Sequence, residues 1–227
     1  MAGVLYIVGT PIGNLEDLTF RAARILREAD AILCEDTRVT SRLLAKYDIA
    51  GKRLLIWNEE KSGTAVEKIA ALLMKGENIA LVTDAGTPGV SDPGSRLVEK
   101  IREILPEAKI ESVPGPSALA AALSVAGLPI SDFTFLGFLP HKKGRETRFK
   151  EIAQSKRSMV FYESPHRIIK TLESLRKHAP DKKITIAREL SKIHEEILAG
   201  SAEDVLAIFQ NNPEKSRGEF VVIISAE

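Results

Sequence analysis

The 227-residue chain is short of most residues that announce a chemistry: it has one cysteine, one tryptophan and three methionines, and aromatics make up 5%. A lone cysteine closes no intrachain disulfide, so Cys34, in the apolar run AILC (31–34), is expected to be a small buried hydrophobe in a protein of the reducing cytoplasm. The four histidines, His141, His166, His178 and His194, are scattered without ligand spacing, which argues against a metal site. No apolar run approaches membrane-spanning length, and the first nine residues are too short and uncharged for a signal peptide. Charge of one sign is lacking too. With 32 Lys and Arg against 31 Asp and Glu the net charge is +1, so any nucleic-acid binding has to come from a local patch. The chain contains no Gly-x-x-x-x-Gly-Lys-Ser/Thr phosphate loop, no Gly-x-Gly-x-x-Gly dinucleotide fingerprint and no Gly-x-Ser-x-Gly nucleophile elbow.

What the chain does have is glycine and proline gathered into loops. LVTDAGTPGVSDPG (81–94) opens as an apolar strand-like run, 79–82, and then places three glycines and two prolines within residues 84–94. Glycines let a backbone approach a ligand closely, and prolines stiffen the loop that does so. Ser91 or Asp92 can cap the following helix, with Pro93 in its first turn. Two further loops of this kind follow predicted strands, GTPIGN (9–14) and VPGPS (113–117). Any one of them reads equally as a tight crossover; three converging on one cleft point to a ligand. A glycine-lined slot with few basic residues suits a compact, neutral or zwitterionic nucleoside, a description that S-adenosylmethionine fits without being singled out by it.

Strands at 4–8, 31–34, 54–57, 79–82 and 109–112 alternate with helices, which predicts a mainly parallel sheet with helices on its faces. The helix over 19–29 carries apolar Phe20, Ala23, Ile25 and Leu26. After GLP (127–129) strands become denser, at 133–138, 159–162, 184–188, 195–199 and 220–225, and predict a mixed sheet. The domains are expected at 1–114 and 115–227.

Several charged residues are candidates for function, each with a plainer alternative. Glu35 and Asp36 close the second strand, where they could hold a ribose hydroxyl or cap the next helix. Arg38 and Arg167 could meet RNA phosphate or pair with carboxylates. Glu163 and Glu189 follow strands and could accept a ribose proton, or could bind an arginine such as Arg188. Glu163, Arg38 and Glu189 are therefore the candidates for catalysis. Lys142, Lys143, Arg145, Arg148 and Lys150 form a basic segment that is either a solvated helix start or an RNA contact.

Eight motifs in order carry a resemblance: GTPIGNLEDLTFRA (9–22), CEDTR (34–38), DAGTPGVSDPG (84–94), VPGPSA (113–118), GFLPHKKG (137–144), FYESPHR (161–167), ARELSK (187–192) and GEFVVII (218–224). Together they resemble the ribosomal small subunit methyltransferase I family of the tetrapyrrole methylase superfamily. The resemblance implies a two-domain α/β fold with S-adenosylmethionine in the cleft between the domains. It implies methylation of the ribose 2′-hydroxyl of a decoding-centre cytidine in 16S rRNA. By motif, the cofactor contacts fall on Pro11, on Asp84, Ala85, Gly86 and Thr87 with Val90, and on Ser117 and Ala118. Glu163 and Leu190 would meet the adenine. The basic segment, with Arg145, Arg148 and Arg167, would face RNA, and the family points to a cytoplasmic homodimer with no membrane association. One departure is length: many family members carry a further C-terminal segment, whereas this chain stops after GEFVVII, which bears on its RNA affinity alone. The alternatives are a tetrapyrrole C-methyltransferase of precorrin or uroporphyrinogen type and a non-catalytic ribosome-binding protein. The HKKG loop, CEDTR and FYESPHR favour the rRNA branch over the tetrapyrrole one.

Overall fold

Parallel strands joined by helices are covered on both faces, so each strand must deal its apolar side chains alternately to two cores. The computed structural model, which describes residues 2–57, 62–84, 86–92, 94–128 and 131–226 (62 and 63 by backbone), shows this in its first half. Ala85, Pro93 and Pro129 therefore lie outside the described residues. The chain divides into two compact units, Met1–Ser117 and Ala118–Glu227.

The first unit runs β1 (Val4–Val8), α1 (Phe20–Glu28), β2 (Ala31–Cys34), α2 (Thr37–Lys46), β3 (Arg53–Ile56), α3 (Ser62–Met74), β4 (Ile79–Leu81), α4 (Gly94–Ile104) and β5 (Lys109–Val113). Its sheet has the order β3-β2-β4-β1-β5, and every neighbouring pair is parallel. Val8, Ile32, Cys34, Ala80 and Val82 pack with Ala22, Leu26, Leu43 and Leu44 of α1 and α2. Their alternates Leu5, Leu33, Ile79 and Leu81 pack with Ile69, Leu73, Leu97 and Ile101 of α3 and α4, together with the single tryptophan, Trp57. Thr19 caps α1 by accepting the Ala22 N–H at 3.0 Å. Phe20 does not join the apolar face expected of it. It is 98% exposed at the first position of α1, while Ala22, Ala23, Ile25 and Leu26 form the buried stripe.

Residues 115–117 belong to the first unit, where the sequence reading set the break after 114. Their backbone is tied there: the Thr87 hydroxyl donates to the Pro116 carbonyl at 2.9 Å, and Gly115 lies against Gly9.

The second unit runs α5 (Ala118–Val125), β6 (Phe133–Phe138), α6 (Arg145–Gln154), β7 (Ser158–Glu163), α7 (Ile168–His178), β8 (Ile184–Arg188), β9 (Glu196–Gly200), α8 (Ala202–Asn211) and β10 (Phe220–Ile224). Its sheet order is β6-β7-β10-β8-β9, with β6 parallel to β7 and the other pairs antiparallel, the mixed sheet expected. Phe149, Phe161, Leu172, Ile186, Leu206, Phe209 and Val222 fill its core.

Backbone proximity at Gly9 and Gly115 sets a stability test. A Cβ on Gly115 would lie 2.7 Å from the Gly9 carbonyl oxygen. Gly115→Ala should therefore destabilise the first unit by about 1–3 kcal/mol, the usual cost of overpacking. The urea midpoint of unfolding measures it, and an unchanged midpoint would contradict the contact.

Candidate functional site

Strands β4, β1 and β5 are adjacent and parallel, so the three glycine-proline loops that leave their carboxyl ends emerge side by side. Hydrogen bonds then stitch them together. The Gly9 N–H donates to the Val113 carbonyl, and the Thr10 N–H to the Gly86 carbonyl, each at 3.0 Å. The buried Thr10 hydroxyl donates to the Thr83 carbonyl at 2.8 Å. Gly86 has a φ of +97°, a region that favours glycine. A Cβ there would sit 2.8 Å from Ile12 Cγ2 and 2.9 Å from the Pro116 carbonyl oxygen. The missing side chain at 86 is thus required for the loops to meet at all, and not solely to leave room for a ligand. Asp92 shapes the outer turn, accepting the N–H groups of Gly89 and of Gly94, the first residue of α4.

Of the residues expected at a cofactor, Gly86 and Thr87 belong to this stitched group, and Pro11 and Ser117 lie on the same loops. Pro11 and Gly86 are buried, and Thr87 and Ser117 half-buried. Asp84 and Val90 are exposed on the same loop, and Ala118 opens α5 in the second unit. Residues 9–14, 84–94 and 113–118 contain no lysine or arginine.

Carboxylates gather at the neighbouring strand ends instead. Asp36 caps α2, accepting the Arg38 N–H at 2.8 Å, and its side chain is gripped by the Arg38 guanidinium. That pairing holds Asp36 at about 2. Desolvation, reinforced by Asp36, pushes Asp84 above the usual carboxylate range. Desolvation, with Asp84 and then Asp92 nearby, raises Glu35 as well. A cradle of this composition fits a nucleoside bearing positive charge and does not fit a phosphate. The capping alternative for Asp36 is the one observed, and Arg38 is its partner, with a side chain 84% exposed. Cys34 is buried as expected, and burial pushes its thiol up.

In the second unit, Glu163 has a side chain without solvent exposure, held between two arginines. Arg145 Nη2 donates to its Oε2 at 3.0 Å, and Arg167 Nε lies 2.7 Å from Oε1. The Thr171 hydroxyl donates to Oε2 at 2.6 Å and the Ser164 N–H to Oε1 at 2.8 Å. The same guanidiniums reach the loop after β6, Arg145 donating to the Pro140 carbonyl and Arg167 to the Leu139 carbonyl. Both Glu163 oxygens are thus engaged by donors of its own unit, the arrangement of a structural clamp rather than of an unpaired base. Arg145 and Arg167 are engaged in that clamp, with side chains 14% and 13% exposed, whereas the expectation had them meeting RNA phosphate.

Glu189 is also engaged, its hydrogen bonds coming from Lys192 and the Glu219 N–H and not from Arg188. Desolvation would raise its carboxyl, but the Lys192 ammonium and the Glu219 N–H hold it below the usual range, which makes it a poor base. Arg188 instead donates to the carbonyls of Lys215, Arg217 and His194. Leu190, expected at the adenine, is 9% exposed between two residues of positive φ, Glu189 and Ser191. Of the basic segment, Arg148 pairs with Glu151 across one helical turn, and Lys142, Lys143 and Lys150 are exposed. The four-residue spacing of Glu163 and Arg167, across the turn from β7 to α7, was the available signal for the clamp; Arg145 left none.

The sequence profile of the family described as tetrapyrrole (corrin/porphyrin) methylases matches residues 4–206. The chain is 45% identical to the ribosomal RNA small subunit methyltransferase I of Thermotoga maritima over 226 residues, 99% of each chain. It is 43% identical to the protein of that name from Halalkalibacterium halodurans, covering 98% of this chain and 75% of the relative. The crystal structure of the methyltransferase CobJ superposes with a TM-score of 0.69 at 25% identity, covering 99% of this chain and 94% of that one.

The clamp and a general base respond differently to mutation. Glu163→Ala leaves two mostly buried arginines without their carboxylate and should cost about 3–5 kcal/mol of stability. Thermal and urea unfolding of the second unit measure it. A variant as stable as the parent, but slow in methyl transfer, would return Glu163 to the role of base.

Proposed function

The chain belongs to the tetrapyrrole methylase family, in its ribosomal RNA small subunit methyltransferase I branch, and from that premise we propose that it methylates the ribose 2′-hydroxyl of a decoding-centre cytidine in 16S rRNA, using S-adenosylmethionine. The observation that carries the reading is the composition of the three stitched loops: backbone, hydroxyls and carboxylates, with no cation among them. Bound there, S-adenosylmethionine supplies a methyl group on a positively charged sulfur, already activated for transfer. The chain's own work is then to hold that group and to align an oxygen with it.

On the first unit the holding residues are Pro11, Asp84, Gly86, Thr87, Val90 and Ser117; on the second, Ala118 and Leu190 occupy the family's remaining cofactor positions. Asp84 and Glu35, whose carboxyl groups desolvation makes less acidic than usual, offer acceptors for ribose hydroxyls and a favourable field for a cation. Arg38, exposed beside Asp36, is the cation of the first unit that faces the RNA. Lys142 and Lys143 are exposed on the loop that the Glu163 clamp fixes, and they neutralise phosphates. Among the described residues no helix is long and apolar enough to cross a membrane. A cytoplasmic setting, where small subunits assemble, and a paired second copy go with the family reading.

Two measurements test this. Purified protein with methyl-labelled S-adenosylmethionine should label small ribosomal subunits and leave uroporphyrinogen unlabelled; the reverse would establish the tetrapyrrole reading, and binding of the cofactor without transfer to either would leave a ribosome-binding protein. Lys142→Ala with Lys143→Ala should flatten the salt dependence of subunit binding by about 1.4–1.8 in log–log slope, two phosphate contacts' worth. Cofactor affinity in that variant should equal the parent's, and an unchanged slope would place the RNA elsewhere.

A further inference from the structure

The register of the second sheet lines up the ends of all five strands. Phe138 pairs with Tyr162, Phe220 pairs with both Glu163 and Arg188, and Arg188 pairs with Glu196. The loops 139–144, 164–167, 189–195 and 212–219 therefore leave one end of the sheet. From β6 to β8 is three strand spacings, about 14 Å. Three of the four histidines, His141, His166 and His194, are exposed on these loops.

The two loops furthest from the lysines are built unusually firmly. Arg188 donates to the carbonyls of Lys215 and Arg217 at 2.9 and 3.0 Å, and to that of His194 at 3.0 Å. Lys192 bridges Glu189 and Glu219 at 2.9 and 3.0 Å, and Lys215 pairs with Glu196. Glu189 and Ser191 hold positive φ values of 51° and 67°. Gly218, at +107°, leaves the space that the Glu189 side chain fills, since a Cβ there would lie 2.5 Å from Glu189 Cγ. Backbone strain held by so many bonds marks a segment kept in one shape, and pre-organisation of that sort lowers the cost of binding.

What this scaffold presents is an aliphatic side chain and a cation. Ile193 is 94% exposed, between Lys192 and His194. Arg217 is exposed, and no carboxylate pairs with it among the described residues. Of the remaining acids on these loops, Glu195 turns back to accept the Ser191 N–H at 2.6 Å, and Glu214 is exposed. An apolar side chain beside a guanidinium, on a rigid ledge, suits irregular RNA, whose unstacked bases offer a face to Ile193 and whose phosphates pair with Arg217.

We propose that loops 189–195 and 212–219 form a second RNA-contacting ledge on the second unit, with Ile193 packing on an unstacked base and Arg217 pairing with a phosphate of the small-subunit RNA. The inference rests on RNA being the substrate, and Lys142 and Lys143 serve as its reference.

The test compares Arg217→Ala, Ile193→Ser and the Lys142→Ala, Lys143→Ala pair, each against parent, for binding to small subunits and to a naked 16S rRNA transcript over a salt series. Arg217→Ala should reduce the salt slope by about 0.7–0.9 and weaken binding roughly fourfold near 0.15 M salt. Ile193→Ser should weaken binding to both RNA forms at unchanged slope. Unfolding midpoints and cofactor affinity serve as controls, and neither should move, because both side chains are solvent-exposed. If Arg217→Ala and Ile193→Ser bind like the parent while the lysine pair fails, the ledge is not a contact and the proposed function stands. If Ile193→Ser weakens binding to subunits but not to naked rRNA, Ile193 meets a ribosomal protein and the ledge is overturned. If all three variants bind like the parent, RNA docking on this unit falls altogether.

Discussion

The contact between the backbones of Gly9 and Gly115 is the constraint on which the rest of the first unit depends. Strands β1 and β5 lie side by side, so the loops that follow them must either splay apart or touch. Here they touch, at a separation that excludes even a methyl group. Gly86, from the loop after β4, closes the group from the other side through Thr10 and Ile12. This is the place where the connections turn: the chain leaves β1 for β2 on one side and leaves its neighbour β4 for β5 on the other. Open parallel sheets bind ligands outside the carboxyl ends of their strands at such a reversal. The cradle is therefore a consequence of connectivity, and the glycines are what that connectivity requires.

Charge is divided between the two units in a complementary way. The first unit collects carboxylates next to a cation-free cradle, where desolvation first and a neighbouring carboxylate second raise Asp84 and Glu35, while Arg38 holds Asp36 low. In the second unit Arg145, Arg167 and Arg188 do internal work, while Lys142 and Lys143 stay exposed. A planar guanidinium can hold a carboxylate and a carbonyl at once, as Arg145 and Arg167 do around Glu163. Lysines at 142 and 143, carried on the loop those arginines fix, stay available to a partner.

Much of this was legible in the sequence, for identifiable reasons. Strands of a covered parallel sheet must be apolar throughout, so AILC and IALV stood out without any periodicity. The three loops stood out because glycine and proline are the residues that permit such turns. The reason for Gly86 was not legible, because Ile12 and Pro116 are remote in sequence and meet it only through strand order. Nor was the fate of Arg145, eighteen positions from Glu163, since pairing at that distance is decided by how α6 packs on α7. Phe20 misled because its apolar character suggested a buried face, yet it precedes the stripe that α1 turns inward. Glu189 gave no sign that its backbone adopts a positive φ, a conformation supplied entirely by Gly218, Lys192 and Glu219 around it.

The central claim is that the methyl group ends on a ribose oxygen of small-subunit RNA, and the chemistry of RNA itself offers the most direct check. Alkali cleaves RNA through attack of each 2′-hydroxyl on its neighbouring phosphate, and a methyl group on that oxygen blocks the attack. Subunits labelled by this protein should, after complete alkaline hydrolysis, yield the label in a resistant dinucleotide whose first residue is cytidine. Label recovered in mononucleotides would mean a methylated base, and would contradict the account.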